Sequence, residues 1–191
     1  MKTDLKENSD KQRNRIACAF EKHFLHFGFK KTTVDDVAEE LGVSKKTIYR
    51  LFRSKEDIFS FIISRKAESR RAMVEKEIMH IGTASGKLEA MIRINFSEYR
   101  KVRKKKAGAL DDGFQTEIAS RIFRKTFFSM LSDILKRGIE NKEFEVCDHE
   151  MTVRYIQALI GETIMSVREN SESRPENFLI CTVNKMLGKS I

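Results

Sequence analysis

Cationic and hydroxyl-bearing side chains are concentrated in one short stretch of the sequence, SKKTIYR, at residues 44–50. Lysine and arginine side chains neutralise phosphates or donate hydrogen bonds to O6 and N7 of guanine. Threonine and tyrosine hydroxyls bind phosphate oxygens, and a threonine methyl or a tyrosine ring can contact the methyl group of thymine. These side-chain types therefore favour contact with DNA. The candidate residues are Ser44, Lys45, Lys46, Thr47, Tyr49 and Arg50.

The segment that contains these residues, TTVDDVAEELGVSKKTIYRLFRSKEDIF (32–59), has the signals of two short helices joined by a sharp turn. Thr33 can cap the first helix, and Gly42 can adopt the left-handed conformation that ends it. Ser44 can cap the second helix, whose buried side includes Ile48. Two short helices joined at a glycine turn are typical of the helix-turn-helix, whose second helix enters the major groove of DNA.

Two helix starts in this segment suit a phosphate group. Thr33 and Ser54 each begin a helix, and the free backbone N–H groups of a helix start favour an anion. Ser54 and Asp57 have the spacing of a capping box, and Lys55 lies beside them.

The alternative is a helical hairpin with a solvated basic face. If Ile48 is buried together with either Leu51 or Phe52, the charged and hydroxyl side chains of the second helix remain on its open side. The combination of three capped helices, a glycine turn and an exposed basic surface favours DNA binding over a plain hairpin.

The composition favours a helical protein. The chain has 191 residues, of which 40% are hydrophobic and 34% charged, so it can bury a core. It contains one proline, and the spacing of its apolar residues predicts an all-α fold with nine or ten helices. The net charge is +9, and the positive charge is concentrated in the first 110 residues, which is weak support for a polyanionic partner.

Other function classes have little support in the sequence. There is no apolar run of the ~20 residues that a membrane span needs, and no signal peptide is evident. Cys18, Cys147 and Cys181 form no CxxC pair, which predicts reduced thiols in a cytoplasmic protein. His23 and His26 are more typical of surface histidines than of a metal site. Because glycine-rich phosphate loops, GxSxG and HExxH are all missing, we expect no catalytic site, metal or cofactor.

The segment FGFKKTTVDDVAEELGVSKKTIYRLFRSKEDIF resembles the N-terminal signature of the TetR family of bacterial transcriptional regulators. The similarity covers roughly residues 12–60 and includes Gly28, the Thr-Val pair, LGVS, TIY and SKED. It implies an all-helical homodimer in which each chain has a helix-turn-helix DNA-binding domain (1–55) and a larger helical domain (56–191). The larger domain would hold a small-molecule pocket and the dimer contacts.

The resemblance also implies roles for individual residues. Two positions depart from the family pattern: many members have a small residue where Lys46 stands, and many have histidine or tyrosine where Leu51 stands. No DNA role is therefore transferred to Leu51. The implied contacts are to base edges for Lys45, Lys46 and Tyr49, and to phosphates for Thr33, Thr47 and Lys55.

Helical periodicity extends through the rest of the chain. A capping box at Ser9 predicts the start of the first helix, and its apolar face is expected to reach Phe27. Further long helices are expected at about 88–105, 115–141 and 149–169. A last short helix follows the single proline.

The helix expected at 149–169 combines an apolar stripe with small residues that let helices approach closely. With the helix at 115–141 it would form an intersubunit four-helix bundle, whereas the alternative is that both are core helices of a monomer. A two-fold dimer would double the short DNA site that one helix can read. The candidate interface residues are Val153, Ile156, Ala158, Ile160, Gly161 and Ile164.

A ligand pocket is the second feature expected in the larger domain. Residues on one face of the 88–105 helix, with aromatic residues of the next helix, would give an apolar site with a few polar groups. The alternative is that the same residues form plain core. The candidates are Met91, Asn95, Phe96, Tyr99, Phe123 and Phe127.

The densest basic run, YRKVRKKK (99–106), is either a solvated helix end or a further set of phosphate contacts. Together these features predict a DNA-binding regulator, a repressor that a small molecule releases from an inverted-repeat operator. The alternative is a DNA-bound architectural or cell-division factor of the same fold that recruits a protein partner.

Overall fold

Every regular element in the part of the chain that the structure describes, residues 2–105, 113–166 and 174–188 of a computed structural model, is an α-helix. The all-α prediction is therefore confirmed, but these residues form eight helices rather than nine or ten. None of the eight is long and apolar enough to cross a membrane. They are α1 (Lys2–Phe27), α2 (Val34–Leu41), α3 (Lys45–Leu51), α4 (Lys55–Ile78), α5 (Ala84–Lys105), α6 (Gly113–Glu140), α7 (His149–Ser166) and α8 (Pro175–Met186).

The chain divides into two compact units. The first contains α1, α2 and α3 with the beginning of α4, up to Lys66, and the beginning of α6, up to Ile122. The second contains the remainder of α4 and α6 together with α5, α7 and α8. Both α4 and α6 are therefore shared between the units.

An aromatic cluster forms the centre of the first unit. Phe24 and Phe29 meet edge to face with their ring centroids 6.3 Å apart, and both contact Phe59 of α4, at 5.5 and 5.4 Å. Phe20, which is fully buried, lies 6.1 Å from Phe29. Because edge-to-face rings place a positive edge on a negative face, these contacts fix α1, the following turn and α4 to one another.

Helix α1 ends at Phe27 as predicted, but its start and the burial of Phe27 differ from the prediction. It begins at Lys2 and continues through Ser9, so the capping box predicted at Ser9 is wrong. An ion pair between Glu7 and Lys11 (2.7 Å) spans this position and supports an uninterrupted helix. Phe27, predicted on the buried face, is 53% exposed because the helix ends there and Gly28 turns the chain at φ 81°.

Residues from five helices form the core of the second unit. Its fully buried members include Leu88 and Phe96 of α5, Leu131 and Leu135 of α6, and Ile156 of α7. The last turns of α4 and the apolar face of α8 complete the same cluster. The apolar stripes predicted for these helices therefore meet in one core.

Helix α5 begins at Ala84, before the predicted start near residue 88, and both a neighbouring and a distant side chain cap it. The Thr83 hydroxyl oxygen accepts a hydrogen bond from the Gly86 N–H at 3.1 Å. The Glu143 carboxylate accepts hydrogen bonds from the backbone N–H groups of Ala84 (2.9 Å) and Ser85 (3.0 Å). These are two of the N–H groups that a helix start leaves without a partner inside the helix.

A buried ion pair joins α5 to α8. The Arg100 guanidinium donates hydrogen bonds to both carboxylate oxygens of Glu176, at 2.9 and 2.5 Å, and Glu176 is only 3% exposed. Burial acts to raise the pKa of Glu176, but the hydrogen bonds and charge of Arg100 outweigh it, so the pKa of this carboxyl lies below its ordinary value.

Close packing explains why residue 138 of α6 is a glycine. The ring of Phe144, which follows the helix, lies against Gly138 so closely that a Cβ at this position would be 2.0 Å from the ring. Only a residue without a side chain fits here with the ring in its present position.

Candidate nucleic-acid interface

The start of α2 is capped as the sequence predicts. The Thr33 hydroxyl oxygen accepts a hydrogen bond from the Asp36 N–H (3.2 Å), and the Asp36 carboxylate accepts one from the Thr33 N–H (3.0 Å). The Thr33 hydroxyl also donates to the Asp36 carboxylate, at 2.7 Å. These side-chain and backbone hydrogen bonds from Thr33 lower the pKa of Asp36.

The turn between α2 and α3 also follows the predicted glycine geometry. Gly42 is left-handed, with φ 63°, and the N–H of Val43 reaches back to the Ala38 carbonyl at 3.0 Å. Ser44 then caps α3, since its hydroxyl accepts the N–H of Thr47 at 3.2 Å. The helix-turn-helix is therefore specified by local hydrogen bonds.

The inner side of α3 is held by two fully buried residues. Ile48 is 0% exposed and Phe52 is 1% exposed, whereas Leu51 is half-buried, so Phe52 is the second inward residue. The Phe52 ring contacts the Phe61 ring, with centroids 5.4 Å apart, and the Arg13 guanidinium lies 4.9 Å from its centroid. This packing gives a seven-residue helix a fixed orientation.

The outer side of α3 carries the side chains that the sequence proposes for DNA. Tyr49 is 52% exposed, Lys45, Lys46 and Arg50 are exposed, and Thr47 is half-buried. The structure thus brings these residues together on one solvent-facing surface.

An open cleft of about 380 Å³ lies beside this surface, between the first residues of α2 and α4. It is lined by Thr33, Lys45, Tyr49 and Ser54, among others. The first residues of two helices line the same space, and helix starts favour an anion, but Asp35 and Glu56 line it as well.

The capping box predicted at Ser54 forms only in part. The Ser54 hydroxyl accepts the Asp57 N–H at 3.3 Å, but the Asp57 carboxylate accepts the N–H of Arg53 rather than that of Ser54. The carboxylate reaches one residue further back and holds the loop that joins α3 to α4.

Asp35, in the first turn of α2, is paired with Lys45 on the outer side of α3. Its carboxylate lies 2.6 Å from the Lys45 ammonium, and both side chains are more than half exposed. The hydrogen bond and the charge of Asp35 raise the pKa of Lys45. The only sequence signal for this pair is an acidic residue in the first turn of α2.

Lys55 has a structural role in addition to its predicted phosphate contact, which stays a prediction. Its ammonium donates to the carbonyls of Phe29 (3.1 Å), Thr32 (3.4 Å) and Lys30 (3.5 Å), and it lies 4.6 Å from the centroid of the Phe29 ring. The three donors of the ammonium are thereby used within the protein. Lys55 ties the start of α4 to the turn after α1.

The two histidines of α1 have different surroundings. The His23 ring bonds the Glu40 carboxylate at 2.7 Å, which lowers the pKa of Glu40, and the His26 ring lies against Phe27. Among the described residues, no group of histidine, cysteine, aspartate or glutamate side chains is arranged to hold a metal ion.

The residues proposed for a ligand pocket lie in or against the core of the second unit. Met91, Phe96 and Phe127 are buried core, and the Asn95 amide bonds the Met91 carbonyl within its own helix. Phe123, partly buried, stacks on Phe127 with centroids 6.3 Å apart. Tyr99 is likewise partly buried against the core. In this structure the set therefore forms packed core, not an open pocket.

The residues proposed for a dimer interface divide into two groups. Val153 and Ile156 are 0% exposed within their own chain, so the structure contradicts a contact with a partner at these positions. Helix α7 has two apolar sides, and periodicity alone did not show which one the core covers. Ala158 is exposed, and the other three, Ile160, Gly161 and Ile164, are half-buried.

The basic run at 99–106 is described only in its first residues. Arg100 is engaged by Glu176, and the Lys101 ammonium bonds the Glu98 carboxylate at 2.5 Å. The side chains of residues 102–106 lie outside the described part, so their contact with DNA stays a prediction.

Comparison with known proteins agrees with this geometry. Residues 21–61 match the family model for bacterial regulatory proteins of the tetR family. The chain is 30% identical over 143 residues to YhgD of Bacillus subtilis, an HTH-type transcriptional regulator, and the match covers 69% of this chain and 71% of that protein. It is 27% identical over 149 residues to the fatty acid metabolism regulator protein of the same bacterium, covering 72% and 73%.

A solved structure shares the fold over most of both chains. FadR of Bacillus subtilis in complex with stearoyl-CoA superposes with a TM-score of 0.62 at 24% identity, over 91% of this chain and 96% of that one. The helix-turn-helix, the helical second unit and the match to YhgD lead to the same conclusion. This chain belongs to the TetR family of bacterial regulatory proteins, and it is a DNA-binding transcriptional regulator, not an enzyme.

Proposed function

We propose that this regulator represses transcription as a homodimer on an inverted-repeat operator and that a small molecule releases it. The observation that carries the DNA part is the orientation of α3. Its inner side is buried through Ile48 and Phe52, and its outer side exposes Lys45, Lys46 and Tyr49. A helix held in this way can lie along base edges in the major groove.

The proposed roles follow from the position of each side chain. Lys45, Lys46 and Tyr49, on the outer side of α3, contact base edges. Thr33 and Ser44 lie at helix starts and, with Thr47 and Arg50, contact the phosphates on either side. Because one seven-residue helix reads few base pairs, two copies about 34–36 Å apart would read two half-sites on one face of the DNA.

Selection of bound duplexes from a random DNA pool tests this proposal. We expect an inverted repeat to be enriched, and Lys46→Ala to relax the preference at one position of each half-site at a cost of roughly 1–3 kcal/mol. Arg50→Ala should instead weaken binding to all duplexes alike. Lys136→Ala, an exposed lysine of the second unit, is the control. Failure to bind or enrich any duplex at low salt would overturn the proposal.

The effector is proposed to be an acyl-CoA. Two observations support it: a relative is a fatty acid metabolism regulator, and a protein of the same fold binds stearoyl-CoA. In the second unit, the half-buried Phe123 and Tyr99 lie at the edge of the apolar core, and the Arg70 guanidinium is 5.8 Å from the Phe123 ring centroid. An acyl chain would enter by displacing Phe123 and Tyr99 from the core that they now cover.

The effector can act only through a difference in affinity. To move the protein from 1:99 to 99:1 in favour of the released conformation, it must bind that conformation ~10⁴-fold more tightly. We expect stearoyl-CoA to release a labelled operator in a fluorescence anisotropy titration, while CoA and stearate alone do not. Equal operator binding with and without stearoyl-CoA would contradict this assignment and leave the DNA proposal intact.

One observation favours the alternative, a DNA-bound factor that recruits a protein partner. The candidate pocket residues are packed as core, and α7 exposes three large apolar residues, Met151 (41%), Tyr155 (55%) and Met165 (46%). An exposed apolar surface of this kind marks an interaction site. If every acyl-CoA fails to release the operator while this surface remains accessible in solution, the alternative gains support.

A further inference from the structure

The exposed side of α7 carries a regular stripe. Met151, Tyr155, Ala158, Glu162 and Met165 follow one another at intervals of four, three, four and three residues, and all five are exposed. This spacing keeps side chains along one side of a helix and is the spacing of a helix–helix seam. Nothing in the described chain covers the stripe.

A glycine within this helix lacks a reason inside its own chain. Gly161 lies in the interior of α7, where glycine is unfavourable, and a Cβ added to it would meet no atom within 4 Å. It stands in contrast to Gly138, whose missing side chain makes room for Phe144. Close approach by another molecule would account for Gly161.

The residues around Ala158 form a self-complementary pattern. Tyr155 and Gly161 stand three residues on either side of it, so a bulky ring has a gap at the matching distance. Arg154 and Glu162, of opposite charge, stand four residues on either side. The methionines at 151 and 165 stand seven residues on either side.

An antiparallel pair of identical helices that cross at a two-fold axis brings such residues together. A position before the crossing point faces the position equally far after it on the partner. With the axis at Ala158, Arg154 faces the partner's Glu162, Tyr155 faces the partner's Gly161, and the methionines face each other.

The charges beside the stripe support the same partner. A cleft of about 530 Å³ beside Ala158 is lined by Arg124, Lys125 and Arg154, together with Phe128. Among the described residues, Arg154 pairs with Glu150 of its own helix, at 2.7 Å, and both side chains are at least 60% exposed, which makes this a weak interaction. The cleft therefore offers a positive surface to a carboxylate that reaches it from outside, as the partner's Glu162 would.

We propose that a second copy of this chain docks on α7 in antiparallel orientation, with the two-fold axis at Ala158 and the Arg154 side chain paired with the partner's Glu162. This rests on the proposed homodimer and adds its register. An axis at Arg154 or at Glu162 would place like charges opposite each other, and an axis at Tyr155 would place the two tyrosines opposite each other.

Disulfide trapping tests the position of the axis. In a variant without native cysteines (Cys18→Ser, Cys147→Ser, Cys181→Ser), Ala158→Cys should give a disulfide-linked dimer under mild oxidation. Such a bond requires Cα atoms within about 7 Å of each other, which at a symmetric position occurs only near the axis. Ala72→Cys, an exposed alanine of α4 in the same unit, is the matched control and should stay monomeric on a non-reducing gel.

Charge exchange tests the pairing without a new bond. Arg154→Glu or Glu162→Arg alone places like charges opposite each other and should raise the dimer dissociation constant roughly tenfold in sedimentation experiments. The double variant restores opposite charges and should recover to within about threefold of the native value. Circular dichroism checks that each variant keeps its helices.

The outcomes separate this inference from the function on which it rests. A dimer that binds an inverted repeat but shows neither cross-linking at position 158 nor rescue by charge exchange overturns the register and leaves the proposed function standing. A monomer with no preference for inverted repeats overturns both. Cross-linking at position 158 together with rescue supports the register.

Discussion

At the scale of single residues, the pair Asp35 and Asp36 shows how neighbours of the same type take different roles. The Asp36 carboxylate accepts a hydrogen bond from the Thr33 N–H and caps α2. The Asp35 carboxylate pairs with Lys45 of α3. The first contact is local and could be predicted from the sequence. The second joins residues of two helices and could not, because no local pattern records which lysine lies opposite.

Replacing Asp35 by asparagine should strengthen DNA binding and weaken its selectivity. The change frees the Lys45 ammonium and removes a negative charge near the residues proposed to contact phosphates. The affinity for random duplex DNA should therefore rise several-fold at low salt. The ratio of operator to random affinity should fall, as measured by anisotropy over a range of salt concentrations. Asp36→Asn is the control: it should lower the melting temperature through the lost cap. Unchanged affinity for random DNA in Asp35→Asn would contradict the prediction.

The buried pair of Arg100 and Glu176 predicts a pH dependence of stability. Because the pKa of Glu176 is lower in the folded chain than in the unfolded one, its contribution is present above the unfolded value, near 4.5, and is lost as the pH falls through the folded value. Glu176→Gln should lower the free energy of unfolding by roughly 2 kcal/mol at pH 7. The same substitution should make the free energy of unfolding depend less on pH below about pH 5.

Urea denaturation at several pH values measures this effect. Glu89→Gln, which removes a half-exposed partner of Arg93, is the comparison and should have little effect. If the Glu176 variant and the native protein lose stability in parallel as the pH falls, the ion pair is not the cause.

At the scale of helices, the sequence predicts what local hydrogen bonds determine. Thr33, Gly42 and Ser44 set the helix-turn-helix through neighbours at most four residues away, and all three were identified correctly. The start of α5 was placed too late: the local cap at Thr83 was overlooked, and the second cap, Glu143, lies far along the chain. The structural contacts of Lys55 were not predicted because its three acceptors belong to a turn more than 20 residues earlier.

Because Phe144 packs against Gly138, we expect alanine to be unfavourable at position 138, although it normally favours a helix. Alanine normally stabilises a helix interior relative to glycine by about 1 kcal/mol. At Gly138 the new Cβ overlaps the Phe144 ring, so we expect a net destabilisation of about 1–3 kcal/mol in chemical denaturation. Adding Phe144→Leu should recover part of the loss by making room. A gain of stability in Gly138→Ala alone would show that the ring moves aside freely.

At the scale of the whole molecule, fold class followed from composition and periodicity, whereas the surface used by a partner did not. Apolar residues on α7 at helical spacing predicted an interface, yet Val153 and Ile156 belong to the core and the exposed stripe lies on another side. A helix with two apolar sides gives the same hydrophobic pattern whichever side the core covers. The packing of α5 and α8 against α7 decides between them.

Dimerisation and operator binding should be linked in the intact protein. Glu162→Arg should weaken binding to a full inverted repeat at nanomolar protein, because both half-sites are then rarely occupied by one dimer. Its binding to an isolated half-site should stay at the native level, since α3 is unchanged. Adding Arg154→Glu should restore the full-site affinity. An equal loss of affinity for both duplexes would instead indicate damage to the outer side of α3.

The open space around Gly161 has a consequence for attempts to improve this protein. A screen for a higher melting temperature in dilute solution would select alanine at this position. Alanine stabilises a helix relative to glycine, and its Cβ would meet no atom of the described chain within 4 Å. The same change would set a methyl group between two copies that need to touch. The selected variant would therefore be the more stable protein but would dimerise less well.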